Sequence, residues 1–444
     1  MVNQTDRKLI VDLKIIFSSL TMKILFFTEN THFGGLDNFL ISLINHWPNS
    51  SDEISIICNQ SHPGLPFLRK RLKRECFIDS NRLLLDWEVL SKFEFYFPTK
   101  FFKRVVGFII RYPFFIYYII RLYTLFKKGN HDRLMIVNGG YPAGNSNRAA
   151  SIAWGLLGKS KSIHNFHNIA VKPSGLTAWL ENLIDYFVHA HSKAFVSPSN
   201  SCSETIRARS RFTNSKKITF IYNGTEKATN YSPYKSSLKE KIGIPDNGLV
   251  CSMLGTYEPR KGHLFLLKCL ASVLENTPNV YFVFSGYGSP KEIQKVGFLV
   301  DQMGLGKNVF LEDASINKDE LYSITDIVIS GSQEYESFGL TLIEAMCRKI
   351  PIVCTKVGGM VEVMGNDDGG YCVEKDCVKT FSQQLNKLLT NKKLRVMKGK
   401  KGYERYLQLF KAENMSMAYK ELIYLEERSN MNLLHIFNST ISKK

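Results

Sequence analysis

Eleven short apolar runs punctuate the sequence, and the stretches between them carry polar loops and amphipathic helical spacing. "KILFF" (23–27) leads into a loop with Gly34 and Gly35 and then into "LDNFLISLINHW". The pattern returns at "EISIIC" (53–58), "RLMIVN" (133–138), "SKSIHNF" (160–166), "KAFVSPS" (193–199) and "KITFIYNG" (217–224). After a polar interruption, "TEKATNYSPYKSS" (225–237), it resumes at "LVCSMLG" (249–255), "VYFVFSG" (280–286), "NVFLED" (308–313), "DIVISGS" (326–332) and "IPIVCT" (350–355). Repeated strand-then-helix patterning predicts an α/β protein whose parallel sheets are covered by helices on both faces. The interruption splits the pattern into two similar, doubly wound α/β domains. The expected boundaries are an extension at 1–21, a first domain at 22–225, a linker at 226–240, a second domain at 241–400 and charged helices at 401–444. In such sheets ligands sit outside the carboxyl ends of the strands, so the informative residues should follow the apolar runs.

A chain of 444 residues is long enough for two domains, and 44% hydrophobic with 22% charged residues suits a soluble globular protein. The nine cysteines are scattered and form no Cys-x-x-Cys pair, which points to a reducing compartment and away from structural zinc. The first twenty residues are interspersed with charges and lack the apolar core of a signal peptide. The net charge of +18 is uneven: residues 66–128 hold 14 Lys/Arg against 5 Asp/Glu, half the excess. Such a region suits phosphate groups, a lipid surface or nucleic acid. No helix-turn-helix, zinc-finger or RNA-recognition signature accompanies it, so nucleic acid is excluded as the expected partner.

Two motifs carry chemistry. In "GTYEPRKGH" (255–263), Arg260 and Lys261 sit just before a helix that follows a strand, which makes an anion site. In "QEYESFGLTLIEA" (333–345), Gly339 permits a tight turn, so that the amides of Phe338, Gly339 and Leu340 can converge on a phosphate at a helix start. Glu336 precedes that turn and Glu344 lies about one and a half turns into the helix; both suit sugar hydroxyls better than phosphate. Gly34-Gly35 can let backbone approach a phosphate, although the dinucleotide fingerprint is absent. "IHNFHN" (163–168) ends a strand, and one histidine facing a ligand is expected there rather than a metal pair. "HAH" (189–191) reads as the start of a strand-like run.

The most apolar stretch, "RVVGFIIRYPFFIYYIIRLYTLF" (104–126), is interrupted by Arg111 and Arg121, and Pro113 is expected to break or kink a helix. With "RKRLKR" (69–74) it reads as a basic and aromatic patch lying on anionic lipid, the alternatives being a segment partly packed on the first domain and, last, a membrane-spanning one.

From about Met22 to residue 410 the chain resembles family 4 of the retaining glycosyltransferases, which have the GT-B fold. The carriers are "FGGLDNF", "HNI", "IYNG", "GTYEPRKGH", and "EYESFGLTLIEA" followed by "VGGMVEV". The resemblance implies two Rossmann-like domains facing a central cleft and a nucleoside-diphosphate sugar as donor. It implies Arg260 and Lys261 on the diphosphate, Glu336 on the transferred sugar and Glu344 on the ribose. Further donor contacts would come from Gly34, Gly35, Asn223, Gly255, Ser337, Phe338, Gly339 and Leu340. His167 resembles the family's histidine near the donor sugar, with His164 the second choice. The acceptor would be a glycan or lipid-linked hydroxyl in bacterial surface polysaccharide or lipopolysaccharide synthesis, with the enzyme cytoplasmic and peripheral on the inner face of the cell membrane. No metal or other cofactor is implied. Two departures stand out: Asp37 where glutamate is commoner, and "FLEDAS" (310–315) without its usual glycine. Two other readings fit parts of the pattern: an epimerase-like enzyme acting on the nucleotide sugar alone, and a non-catalytic sugar-nucleotide-binding protein.

Overall fold

The structure is a computed structural model that describes residues 21–32, 34–81, 83–92, 100–227, 235–313 and 316–425. It divides into two units, residues 1–221 with 412–443, and residues 222–411. The expected extension at 1–21 lies outside the described residues apart from Thr21, and Met22 is already buried.

The first unit is built on seven parallel strands: β1 (Lys23–Thr28), β2 (Glu53–Asn59), β3 (Phe77–Asn81), β4 (Arg133–Asn138), β5 (Ser162–Phe166), β6 (Ser192–Ser197) and β7 (Ile218–Phe220). Their order is β3-β2-β1-β4-β5-β6-β7, with β1 in register from Lys23↔Glu53 to Thr28↔Cys58. Ile24 to Phe27 of "KILFF" are apolar and buried because both faces of the strand are covered. Leu25 and Phe27 enter a core with the helices Lys100–Lys128, Asn145–Leu156 and Ala178–His191. Ile24 and Phe26 enter the opposite core, with the helices Gly35–Asn45, Leu65–Arg71 and Ala412–Tyr424. The last of these helices is pinned by polar contacts: Ser416 Oγ donates to the Leu43 carbonyl (2.9 Å), and Asn165 Nδ2 donates to the Tyr419 hydroxyl (2.7 Å).

The second unit has six parallel strands: β8 (Leu249–Leu254), β9 (Val280–Gly286), β10 (Val309–Asp313), β11 (Ile327–Ser330), β12 (Ile352–Thr355) and β13 (Gly370–Val373). Their order is β10-β9-β8-β11-β12-β13. In each sheet the strand order reverses once, between β1 and β4 and between β8 and β11. Those two points open the crevices in which α/β sheets bind ligands.

Several expectations need correction. The linker expected at 226–240 is not one element: Lys235–Ile242 is a helix whose Leu238 is buried in the second unit, and 228–234 lie outside the described residues. The second domain does not stop at 400, because the Lys392–Leu409 helix runs through that point and buries Tyr406 within it. Pro113 stands inside the Lys100–Lys128 helix, whose neighbouring turns are held by buried Phe115, Tyr118 and Leu122. His189 to His191 close the Ala178–His191 helix rather than open a strand. Finally, the basic segment 69–74 and the long apolar helix do not share a layer. Leu68 packs in one core and Phe115 in the other, on opposite faces of the sheet.

Candidate active site

In the second unit both motifs land at the β8/β11 switch point. Gly255 follows β8 so closely against β9 that a Cβ on Gly286 would fall 1.8 Å from the Gly255 carbonyl oxygen. The 3-10 turn Pro259–Lys261 comes next, and Gly262, at φ 78°, starts the His263–Leu274 helix. A Cβ on Gly262 would sit 1.8 Å from the Gly331 carbonyl oxygen, so this glycine lets the cationic turn rest on the loop after β11. The Gln333 amide donates to the Arg260 carbonyl at 2.9 Å and fixes that seat.

Lys261 Nζ meets Glu336 Oε2 at 2.5 Å, and Ser332 Oγ lies 3.5 Å from the same oxygen. Arg260 Nε donates to Glu258 Oε2 at 2.5 Å, and its Nη1 donates to the Tyr335 carbonyl (3.4 Å). Partial burial works upward on the Glu258 carboxyl, and hydrogen bonds from Arg260 and Thr256 outweigh it, leaving its pKa below the usual range. Each cation therefore holds a carboxylate, and the four side chains cancel in charge.

Gly339, at φ 100°, turns the chain into the Leu340–Cys347 helix. The Phe338 ring is buried 5.9 Å from both Tyr222 and Phe410, which anchors the turn and leaves only the backbone of Phe338 for a ligand. Ser337 and Leu340 flank that turn. Behind it, the Gly359 amide donates to the Glu336 carbonyl at 2.8 Å. Glu344 lies inside the helix and has partners of its own. Tyr322 donates its hydroxyl to Oε2 (2.9 Å), and Lys318 pairs with Oε1. Burial first, then the Glu344 charge, push the Tyr322 hydroxyl well above its ordinary pKa, so it keeps its proton and can donate. Asn223 is buried in this unit, and its Oδ1 has no hydrogen-bond partner among the described residues.

In the first unit Gly34 and Gly35 follow β1. Asp37 accepts the Gly34 amide at 2.9 Å, and its other oxygen meets buried His62 Nε2 at 2.6 Å. A shorter acid therefore serves where glutamate was expected. His167 comes just after β5, its ring 4.2 Å from that of Phe39, with Nε2 lacking a hydrogen-bond partner among the described residues. Burial lowers its pKa to about 3, so the ring is neutral at pH 7. His164 is a core residue, stacked on Phe195 (5.7 Å), with burial and then Arg148 lowering its pKa to about 3. Among the described residues no three His, Cys, Asp or Glu side chains gather as metal ligands would.

Sequence reasoning missed Lys318, Tyr322 and His62. The first two stand four positions apart in "NKDELYSI", on one face of the Lys318–Ile324 helix, and that spacing was their signal. His62 follows β2 in a polar turn, with nothing in the sequence to tie it to Asp37.

Two doubly wound parallel domains, with a cationic turn and a helix start meeting at the second switch point, define a GT-B glycosyltransferase fold. Residues 235–405 match the model of the family Glycosyl transferases group 1. The chain is 22% identical over 284 residues to the N-acetyl-alpha-D-glucosaminyl L-malate synthase of Bacillus anthracis, covering 64% of this chain and 73% of that one. It is 24% identical over 287 residues to an Escherichia coli UDP-Gal:alpha-D-GlcNAc-diphosphoundecaprenol alpha-1,3-galactosyltransferase, covering 63% and 72%. Among solved structures, a glycosyltransferase from Rickettsia africae superposes with a TM-score of 0.71 at 20% identity, covering 91% and 98%. Anabaena HepE in complex with UDP gives 0.68 at 17%, covering 90% and 99%.

Proposed function

We propose that this chain is a retaining hexosyltransferase. It moves a hexose or N-acetylhexosamine from a nucleoside-diphosphate sugar to a hydroxyl of a glycan or lipid-linked acceptor in bacterial surface polysaccharide or lipopolysaccharide synthesis. One observation carries the reading: Arg260, Lys261 and the Gly339 helix start meet at one switch point, with Glu336 and Glu344 on either side of the turn. The complexes of HepE with UDP and with UDP-glucose make uridine donors the first to try.

The donor diphosphate draws Lys261 away from Glu336 and Arg260 away from Glu258, so each carboxylate's counter-ion passes to phosphate. Gly255, Ser337 and the amides at Phe338–Leu340 take the remaining oxygens. Glu336, released, accepts hydroxyls of the transferred sugar. Glu344, held by Tyr322, accepts those of the ribose, and Asn223 serves as a neutral polar group for the donor. The acceptor oxygen then bonds to the anomeric carbon on the face the diphosphate leaves, and the acceptor proton departs with the leaving phosphate. Charge grows on the diphosphate as the bond breaks, so the two cations and the helix start stabilise the transition state more than the ground state. The cations supply this stabilisation without a metal. The enzyme works in the cytoplasm from the surface of the inner membrane, where a lipid-linked acceptor is held.

The test is release of nucleoside diphosphate from a panel of nucleotide sugars, with and without lipid-linked acceptors. Release from at least one donor, lowered about a hundredfold in Arg260→Ala, is expected. No release from any donor would overturn the reading.

A further inference from the structure

We propose that the first domain docks on an anionic bilayer through one two-helix face: the outer side of Lys100–Lys128 and the outer side of Gly175–His191. This deepens the membrane-surface reading above by naming the surface, and it excludes the basic segment 69–74 from it.

The long helix is apolar on both sides. Phe115, Tyr118, Leu122 and Phe126 fill the core beneath it. Val105, Ile109, Ile116 and Ile120, at spacings of four, seven and four, form an outward stripe, with Ile109 and Ile116 each 60% exposed. Water-facing stripes are ordinarily polar, and a helix apolar all round is buried or in contact with lipid. The helix also carries seven Lys/Arg and no acid.

The neighbouring segment repeats the arrangement. Leu176 is 95% exposed and Trp179 65%, with Leu183 and Phe187 following on the same side of the Ala178–His191 helix. Its two acids turn inward: Glu181 pairs with buried Arg148 (2.6 Å) and Asp185 with buried Arg209 (2.7 Å). The outer side is left without a negative charge. The Tyr112 hydroxyl donates to Glu181 (3.4 Å), which ties the two helices together on one face of the sheet. The surface is thus apolar and without an acid, on a helix whose Arg121, Lys127 and Lys128 are exposed, the composition that partitions into the headgroup boundary of anionic lipid. Val105–Lys128 is long and apolar enough to cross a membrane. Its inner side is committed to the sheet, however, so the helix lies along the bilayer and does not span it. The basic segment is on the other layer, where Arg71 donates to Asn38 and Arg74 to the Asp52 carbonyl.

The test uses the full chain with vesicles of phosphatidylglycerol and phosphatidylcholine, or of phosphatidylcholine alone. Wild type is expected to co-float with the anionic vesicles only and to be released by high salt. Trp47 and Trp154 are buried and Trp87 is partly buried, so insertion is read from the part of the blue shift and of the quenching by brominated lipid that Trp179 contributes. That quenching should fall sharply in Trp179→Phe. The double variant Ile116→Glu/Ile120→Glu, at exposed positions, should keep the wild-type melting temperature and bind at least about tenfold more weakly. Arg69→Gln/Lys70→Gln should bind as wild type. The proposal is overturned if wild type does not float, if the double variant floats normally, or if the 69–70 variant loses binding. Retention in alkaline carbonate, which would mean a spanning helix, overturns it too. So does a dimer that the double variant makes monomeric, which would mean that a second copy covers the face. Vesicle binding needs neither donor nor acceptor, so such a failure would leave the transferase reading standing.

Discussion

Replacing Gly358 with alanine should separate the chemistry at Glu336 from the fold around it. Gly358 opens the "GGMVEV" segment at φ 53°, a left-handed conformation that costs an L-residue about 1 kcal/mol. The added Cβ would meet the Glu336 carbonyl oxygen at 2.1 Å, more than 1 Å short of the 3.4 Å at which ordinary contact begins. That carbonyl also accepts the Gly359 amide at 2.8 Å, a bond worth about 1 kcal/mol that must stretch or break as the chains part. Together these terms cost about 2–3 kcal/mol, which lowers the melting temperature of a domain near 190 residues by roughly 5–10 °C. The displaced residue is the one that pairs with Lys261. A misplacement of about 1 Å near reacting atoms costs on the order of a hundredfold in rate. Thermal melting and release of nucleoside diphosphate should therefore both fall, with turnover falling far more than the stability loss explains at 25 °C. Normal melting would refute the packing argument. Lowered melting with wild-type turnover would show that the position of Glu336 does not matter to the reaction.

Gly34→Ala is the complementary case: its φ of 175° is extended and nothing lies within 4 Å of the added carbon, so melting should not change while nucleoside-diphosphate affinity drops about tenfold if phosphate touches that backbone. Glu344→Gln should mainly raise the donor KM and weaken nucleoside diphosphate without affecting inorganic pyrophosphate, whereas Glu336→Gln should mainly reduce kcat; matching kinetic profiles for the two would refute their division of labour. His164 and His167 have folded pKa values near 3 against about 6.5 unfolded, so their neutral forms support the fold above pH 6.5 and that support is lost as pH falls toward 3. At pH 5 each costs about 2 kcal/mol, and melting at pH 5 should fall well below that at pH 7.

Strands covered on both faces were legible because most residues in them had to be apolar, as in Ile24 to Phe27 and Val280 to Phe284. The strands that escaped notice, "FIDSN" (β3) and "GYCV" (β13), lie at sheet edges, where one neighbour is missing and polar residues are tolerated. Pro113 misled because a local rule was applied to a helix held by its packing. The missing amide removes one hydrogen bond, while Phe115, Tyr118 and Leu122 bury three large side chains across the next turns. "HAH" misled for a similar reason. The buried series Glu181, Ile184, Asp185 and Val188 continues the helical period up to those histidines. The grouping of 69–74 with 104–126 failed because proximity in sequence does not say which face of a sheet a helix covers. At the candidate site, strand ends and glycines disclosed the backbone, but not the pairing of side chains 75 residues apart, such as Lys261 with Glu336.

That pairing changes what the motif means. Arg260 and Lys261 in sequence suggest an open anion site, yet each is already matched to a carboxylate. An unmatched pair of cations in a half-buried crevice would carry a desolvation cost in the empty enzyme and attract any phosphate. With matched pairs the empty site is neutral, and only a ligand that replaces both carboxylates gains full use of the cations. A diphosphate carrying a sugar can do so, because its hydroxyls give the displaced Glu336 new donors. A bare diphosphate frees the same carboxylate but brings it no sugar hydroxyls. Under the proposed function, the acid on the near side of the glycine turn would favour sugar-bearing diphosphates over bare ones, a discrimination set by a side-chain pair rather than by the shape of a pocket.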